Sequence, residues 1–329
     1  MKRIAINGMG RIGRASLKVI LESKELTLVA INDILPIENL AYLLKYDSTY
    51  GPYKHNVSVS GNTLEVDDNK ITYFNQKNPE DLPWKDLNID VVIESTGIFT
   101  QSEDASKHIT AGAKTVVISA PTKSQDVPTV VHGVSSALGN TSIFSCASCT
   151  TNNISPIVEI LSRRVGIHKA IMTTVHAYTA SQSLMDSASP KNYRMGRAAA
   201  DNLVPTSTGA AIATTKALPE FTDKFDGVAI RVPAKVGSIS DMTFVTKRPV
   251  TPEEINEILE SEASTERYQE VLSTTREPLV SSDIIGSPYA SIADLNMTRV
   301  VDGDLLKVMA WYDNEWGFTH QMVRLIKEL

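Results

Sequence analysis

The first half of the chain alternates short unbroken apolar runs with stretches whose apolar positions follow a helical period. Ile4-Ala5-Ile6 ends at Asn7-Gly8. Ile12, Leu17, Ile20 and Leu21 then share one helical face, and Leu26 to Ile31 forms a second β-prone run. Continuous apolar runs bounded by turn residues mark strands buried on both faces, as parallel strands are. Val91-Val92-Ile93, Thr115 to Ile118 and Thr129-Val130-Val131 are further strand candidates, with a helix expected over 102–111. Parallel strands joined by helices imply a doubly wound α/β sheet. Near residue 149 the pattern changes. A helix is expected over 150–164, apolar at Ile154, Ile157, Ile160 and Leu161, followed by strands over 169–174, 228–232, 238–246 and 305–312. Longer strands with few helices between them fit a second, α+β domain with a mixed or antiparallel sheet. The run 319–329 is amphipathic through Met322, Val323, Leu325 and Ile326.

Composition narrows the class. The 329 residues are 42% hydrophobic and 21% charged, ordinary for a globular chain and enough for two domains. Lys and Arg number 32 against 38 Asp and Glu, a net charge of −6, which speaks against a dedicated nucleic-acid partner. Two cysteines three residues apart make no disulfide framework and suit a reducing compartment. The apolar run after Met1-Lys2-Arg3 is too short for a secretion signal, and no stretch reaches the roughly 18 apolar residues of a membrane span. A cytoplasmic protein without a membrane partner is expected.

Gly8-Met9-Gly10-Arg11-Ile12-Gly13 reads G-x-G-x-x-G. Alone it is a weak signal. Here it follows a strand, opens a helix, and has Asp33 20 positions beyond Gly13. That context is the dinucleotide fingerprint of a Rossmann-type sheet. Gly8 permits the tight turn, Gly10 lets the backbone approach a pyrophosphate, and Gly13 lets helix and strand pack. The helix start offers N–H groups and the positive end of its dipole to the phosphates. Asp33 would accept hydrogen bonds from the adenosine ribose and repel a 2′-phosphate, so NAD is expected, with NADP a poorer cofactor.

A second motif runs Ser145-Cys146-Ala147-Ser148-Cys149-Thr150-Thr151-Asn152-Asn153, between a strand and an apolar helix. Cys149 falls at the helix start, where dipole and N–H groups would lower its pKa from about 8.5. His176, closing the strand Ile171 to Val175, could stabilise a thiolate and move protons. On residues alone the alternatives stand: a buried small cysteine and a structural histidine. Cys146 and Cys149 form C-x-x-C, a redox spacing as well as a packing one. A zinc site would need two further ligands, and no partner motif supplies them, so no metal is expected.

These blocks, together with Ala30-Ile31-Asn32-Asp33, Lys45-Tyr46-Asp47-Ser48, Glu94-Ser95-Thr96-Gly97, Ile118 to Pro121, Thr173 to Ala177, Pro205 to Ala211, Arg231-Val232-Pro233 and Trp311 to Gly317, resemble glyceraldehyde-3-phosphate dehydrogenase from end to end. The resemblance implies an NAD-binding Rossmann domain over 1–148, onto which the helix 316–329 packs back, and a catalytic domain over 149–315. It implies Cys149 as nucleophile and His176 as acid/base. Arg11, Ile12, Asp33, Ser119 and Asn314 would hold NAD, with Lys77 on the adenine side. Ser148, Thr150, Thr208 and Gly209 would form one phosphate site, and Thr179, Arg194 and Arg231 a second. Hydroxyls and guanidinium groups are the right chemistry for oxyanions.

The implied reaction is attack of Cys149 on the aldehyde, proton removal by His176, hydride loss to leave a thioester, and release of an acyl phosphate by inorganic phosphate. The implied partners are D-glyceraldehyde 3-phosphate and phosphate, and the implied assembly is a homotetramer. Several positions depart from the family pattern: Cys146 for Asn, Asn153 for Cys, Met195 for Arg, Ser187-Ala188 beside the ribose, and Phe318 for Tyr. Two alternatives are weighed. Erythrose-4-phosphate dehydrogenase shares the cysteine chemistry, but Asn32-Asp33 and Thr208-Gly209 favour the glyceraldehyde phosphate enzyme. A binding protein for RNA or protein partners, working through its cofactor domain, sits poorly with the acidic balance and the intact catalytic set.

Overall fold

The computed structural model describes residues 1–135, 141–190 and 192–329. The chain divides into two compact units: 1–130, 136–147 and 322–329 in the first, and 131–135 and 148–321 in the second.

In the first unit the elements run β1 (Lys2–Asn7), α1 (Arg11–Leu21), β2 (Leu26–Asn32), α2 (Ile37–Lys45), β3 (Val57–Ser60), β4 (Thr63–Val66), β5 (Asn69–Phe74), β6 (Val91–Glu94), α3 (Ser102–Thr110), β7 (Thr115–Ile118) and β8 (Ile143–Ser145). The sheet order is β3-β4-β5-β2-β1-β6-β7-β8, and every pairing from β5 to β8 is parallel. This is the doubly wound Rossmann-type sheet, with β1 at the centre and its chain reversal beside β6. Ile4, Ala5, Ile6, Val92 and Ile93 are wholly buried, as strands covered on both faces must be.

Two features differ from the sequence expectation. The outer strands β3, β4 and β5 pair antiparallel, turning at Gly61-Asn62 and Asp67-Asp68, where Gly61 and Asp67 take positive φ. Thr129-Val130-Val131 is not a strand. It makes a single parallel bridge, Thr129 to Ser145, because Pro128 has no N–H to extend the ladder. The outermost parallel position belongs to β8.

The second unit continues α4 (Cys149–Arg164), β9 (Ile167–Ala177), β10 (Val204–Ser207), α5 (Ala210–Ala217), β11 (Phe225–Val232), β12 (Ser238–Thr246), α6 (Pro252–Ala263), β13 (Leu272–Thr275), β14 (Ser291–Asp294), β15 (Arg299–Val301), β16 (Leu305–Tyr312) and α7 (Trp316–Glu328). Its sheet is mixed, in the order β10-β11-β9-β12-β16-β14-β13, with β15 paired to β16. Helix α4 lies across β9, β12, β14 and β16 and buries Ile154, Ile157, Ile160 and Leu161 against them. Strand alternation leaves the other face with exposed apolar side chains, among them Ile171, Val228 and Leu305. Helix α7 begins in the second unit and ends in the first. There the Lys2 ammonium donates to the carbonyls of Ile326 (3.1 Å) and Lys327 (2.7 Å), closing the helix C-terminus with a cation.

Candidate active site

The glycine turn after β1 is shaped by close approach. Gly8 has φ +95°, and a Cβ there would meet Thr96 N at 2.7 Å. A Cβ on Gly13 would meet Gly8 O at 2.0 Å, so only glycine lets α1 pack on the turn. At Gly10 a Cβ would meet nothing within 4 Å. That open position, at the N-cap of α1, fits a pyrophosphate approaching the helix start. Asp33, at the end of β2, accepts from Met9 N–H (2.7 Å) and Leu35 N–H (2.9 Å), one per oxygen. Each carboxylate oxygen retains a lone pair for a ribose hydroxyl. Arg11 and Ile12 open α1. The Arg11 guanidinium binds Asp47 at 2.6 Å and lies 5.5 Å from the Tyr50 ring centre. Ser119 follows β7 and donates its N–H to Glu94 O (3.0 Å), whereas Lys77 is an exposed loop residue after β5.

Behind the turn lies a buried polar cluster that the sequence did not announce. Glu94 Oε2 accepts from Asn7 Nδ2 (2.6 Å) and His108 Nε2 (3.0 Å), and Oε1 accepts from the Thr96 N–H (2.8 Å) and hydroxyl. Trp84 Nε1 donates to His108 Nδ1 (3.0 Å), which fixes the ring hydrogen on Nε2. Asn32 Nδ2 donates to Asn7 Oδ1 (2.7 Å). Four donors converge on one wholly buried carboxylate and tie the ends of β1, β2 and β6 around the turn.

In the second unit Cys149 is the first residue of α4. Ser148 is its N-cap: the Ser148 hydroxyl accepts from Thr151 N–H at 3.0 Å. Just before it, Ala147 takes φ +59°, a left-handed conformation costing a residue with a Cβ about 1 kcal/mol or more. Cys149 Sγ lies 3.4 Å from His176 Nε2. His176 stands on β9 directly opposite Arg231 on β11 in parallel register. Its Nδ1 is 2.6 Å from Ala177 O and 2.7 Å from Arg231 Nη1, which also donates to Ala177 O at 3.1 Å. The buried Tyr312 hydroxyl lies 2.8 Å from each of Thr150 Oγ1 and Thr174 Oγ1, and its ring meets His176 edge-on with centroids 5.9 Å apart.

The electrostatics correct one expectation. Although Cys149 is partly exposed, the protein atoms around its sulfur push the thiol above its ordinary pKa. Arg231 and hydrogen bonds from Thr150 and the helix start pull the other way without reversing the shift. His176 is pushed down to about 3 by burial and by the Arg231 charge. Burial thus pushes both groups toward their neutral forms, against the lowering of the thiol pKa expected from a helix start. Burial outweighs the dipole here. Cys146 is wholly buried and its thiol is pushed far up by burial alone, so it meets the packing reading of the C-x-x-C pair.

Of the expected phosphate ligands, Ser148, Thr208 and Gly209 stand at two neighbouring helix starts. Gly209 is the N-cap of α5, Thr208 Oγ1 accepts from Ala210 N–H (3.2 Å), and Thr151 Oγ1 lies 2.8 Å from Ser148 Oγ and donates to Ala210 O at 3.5 Å. Thr150 belongs elsewhere. Its hydroxyl joins Tyr312 and the Cys149 sulfur and is buried. Thr179 follows β9, its hydroxyl 2.8 Å from that of Ser181. Arg194 does not join Arg231. Its guanidinium donates to Pro205 O at 3.4 Å in a hollow lined by Asn192, Thr206, Val228 and Ile230. Val228 and Ile230 lie on the face of β11 opposite Arg231, because side chains alternate along a strand. Asn314 is buried, its Oδ1 accepting from Gly237 N–H and Ser238 Oγ (both 3.1 Å), which fixes the direction of its amide NH2. Sequence reasoning passed over Tyr312, although the block Trp311 to Gly317 contains it.

A Rossmann-type sheet with a glycine turn, followed by a mixed-sheet unit with a helix-start cysteine beside a histidine, defines the class of protein as a Rossmann-type oxidoreductase. Two family models match. The glyceraldehyde 3-phosphate dehydrogenase NAD binding domain covers residues 2–102, and the glyceraldehyde 3-phosphate dehydrogenase C-terminal domain covers 148–314. The chain is 44% identical to glyceraldehyde-3-phosphate dehydrogenase 2 of Streptomyces avermitilis over 98% of its own length and 97% of that protein's. It is 45% identical to the Zymomonas mobilis glyceraldehyde-3-phosphate dehydrogenase (98% and 96%) and 43% identical to glyceraldehyde-3-phosphate dehydrogenase 1 of Kluyveromyces lactis (100% and 100%). The chain belongs to the glyceraldehyde-3-phosphate dehydrogenase family.

Proposed function

We propose that this chain catalyses the NAD-dependent oxidative phosphorylation of D-glyceraldehyde 3-phosphate to the acyl phosphate. The observation that carries this reading is Cys149 at the first position of α4 with its sulfur 3.4 Å from His176 Nε2. Cys149 adds to the aldehyde carbon as His176 takes the thiol proton and passes it to the carbonyl oxygen, and the freed imidazole then takes the hemithioacetal hydroxyl proton as the hydride leaves. A neutral imidazole is the form that can accept them, and burial keeps His176 neutral. Thr150 and Tyr312 hold the cysteine and the histidine ring in register. When bound, NAD supplies the hydride acceptor. Gly8, Gly10, Gly13 and α1 would hold its pyrophosphate, Asp33 its ribose, and Asn314 would offer an oriented amide. The thioester on Cys149 is then cleaved by inorganic phosphate. The adjoining starts of α4 and α5, with Ser148, Thr208 and Gly209, suit that anion. Arg231 and Thr179 suit the phosphate of the substrate.

The first unit serves as cofactor domain and the second as catalytic domain. A homo-oligomer, the expected tetramer, is supported by the apolar open face of the second sheet, where Ile171 is 60% and Val228 51% exposed. Among the described residues no helix is long and apolar enough to cross a membrane, in keeping with the cytoplasmic expectation. The test is phosphate-dependent NADH formation measured with D-glyceraldehyde 3-phosphate and with D-erythrose 4-phosphate. Higher kcat/KM for the four-carbon aldehyde would reassign the substrate, and no NADH with either would end the reading. Sedimentation velocity tests the assembly.

A further inference from the structure

Three polar residues lie side by side at the carboxyl edge of the first sheet. Asn32, Asn7 and Glu94 are the last residues of β2, β1 and β6, and Asn7 stands opposite both of the others in parallel register. All three are buried. A buried polar row is costly unless every group in it finds a partner of the opposite kind. Glu94 gives the row its direction. Its carboxylate can only accept, so Asn7 turns its NH2 toward it and its Oδ1 toward Asn32. Asn32 presents its NH2 to Asn7 and closes its amide on the backbone of Gln76: Nδ2 donates to Gln76 O and Oδ1 accepts from Gln76 N–H, each at 2.9 Å. On the other side Glu94 Oε1 accepts from the N–H and the hydroxyl of Thr96, and the Thr96 hydroxyl oxygen accepts from Ile98 N–H at 3.1 Å. The bonds thus run out into two loops that reach the surface at Gln76 and Ile98. The first lies against the ribose-facing acid, with Asn75 Nδ2 donating to Asp33 O at 3.0 Å. The second lies against the glycine turn, with Ser95 Oγ donating to Gly8 O at 2.7 Å. Dinucleotides bind outside the carboxyl ends of such strands, between those two points.

We propose that Glu94 is a positioning residue for the adenosine half of NAD: buried beneath the stretch from the glycine turn to Asp33, it sets the direction of one hydrogen-bond chain that holds the loops on both sides of it. The role depends on a group that only accepts, not on size alone. Glutamine at 94 fills the same space but carries an NH2, which meets a donor whichever way it turns. On one side stands Thr96 N–H, on the other the Asn7 amide and His108 Nε2–H. One of the two loops is then released. The role belongs to NAD binding in the first unit and is independent of which aldehyde the chain oxidises.

The test is calorimetric titration of the full chain with ADP-ribose, which carries the adenosine half without a nicotinamide and is read without turnover. Glu94→Gln should raise its Kd about tenfold or more. Amide hydrogen exchange should show either Gln76 or the pair Thr96 and Ile98 losing protection. Trp84→Phe is the control for packing. It loses the indole N–H that donates to His108, and with it stability, but leaves the carboxylate and both arms of the chain in place. Its Kd should stay within about twofold of wild type. A Kd within about twofold of wild type in Glu94→Gln, or an equal rise in Trp84→Phe, overturns the proposal. Should Glu94→Gln fail to fold, Thr96→Val takes its place: it removes only the hydroxyl link and should raise the Kd about threefold or more, with Thr96→Ser restoring it. An unchanged Kd in Thr96→Val overturns the proposal equally. The expected changes in Kd, in a chain that makes no NADH from either aldehyde, would end the dehydrogenase reading alone. Full dehydrogenase activity with no change of Kd in Glu94→Gln would end the positioning role alone.

Discussion

Two buried histidines, one in each unit, show what separates a structural ring from a working one. His108 is fully buried, His176 is 4% exposed, and both touch polar groups at each nitrogen. At His108 the two shortest contacts agree. Trp84 donates to Nδ1, Nε2 donates to Glu94, and a single hydrogen position satisfies both. At His176 the contacts conflict, because Nδ1 faces both a carbonyl and a guanidinium. Burial and polarity are alike in the two places. What differs is whether the surroundings leave the proton a choice. The first ring holds β1 and β6 around the glycine turn; the second, in the proposed mechanism, moves hydrogen beside a thiol.

The largest effect belongs to the atom His176 serves. Cys149→Ala should lower dehydrogenase turnover by about 10⁴-fold or more, since no other group forms the covalent intermediate. Its affinity for NAD, by calorimetry, should stay near wild type. Turnover within tenfold of wild type would remove Cys149 from the mechanism.

His176→Asn should cost about 10²–10⁴ in kcat. It also has a signature in stability. His176 titrates near 3 when folded and about 6.5 when unfolded, so between those values the unfolded chain binds the extra proton. Stability therefore falls as pH drops through that window. The group alone removes about 2 kcal/mol between pH 7 and pH 5. Urea titrations should show wild type losing about 2 kcal/mol more over that interval than His176→Asn; equal losses would mean the ring is not held neutral.

The mirror experiment is His108→Leu. Removing the ring leaves Trp84 Nε1 and a Glu94 oxygen short of a partner in the interior, at a cost of about 2–4 kcal/mol in unfolding free energy. Turnover under saturating NAD should stay within about threefold. A large fall in kcat with unchanged stability would place His108 among the working groups and dissolve the comparison.

Asp33→Ala should narrow the NAD over NADP preference in kcat/KM by about tenfold, because the carboxylate no longer faces a 2′-phosphate. A wild type that already favours NADP would show Asp33 turned from the ribose. The smallest effect is expected at Cys146. Its buried, protonated thiol is a poor attacker of oxidised Cys149, so Cys146→Asn should recover from brief peroxide treatment as wild type does. Mass spectrometry finding a Cys146–Cys149 link would reverse that reading.

Much of this was legible in the chain itself, for local reasons. Parallel strands declare themselves as unbroken apolar runs, and Gly8, Gly10, Gly13 and Asp33 carry their spacing in one stretch of sequence. The helix start at Cys149 was visible where the apolar period of 150–164 begins. The hairpins of β3, β4 and β5 were passed over although Gly61-Asn62 and Asp67-Asp68 are turn signals, because these short, half-exposed strands carry no unbroken apolar run. Tyr312, Trp84 and Glu94 announce nothing locally; their importance arises from partners more than ten residues away. That Arg194 lies with Val228 and Ile230, on the face of β11 opposite Arg231, is a matter of register, which guanidinium chemistry alone does not record. The direction of the Cys149 shift depends on how many atoms surround the sulfur, which no motif records.

The closure of α7 by Lys2 has a consequence for how the protein is made. The first unit contains residues 1–130 and also 322–329, which are made after the second unit. A ribosome adds about 5–20 residues per second, so that unit waits roughly 10–40 s, while the second is synthesised, for its final helix turns. Until then β1 and its neighbours are a nearly complete sheet with one flank bare, in a cell where such flanks attract chaperones. A segment made after the second unit is the one that closes the first.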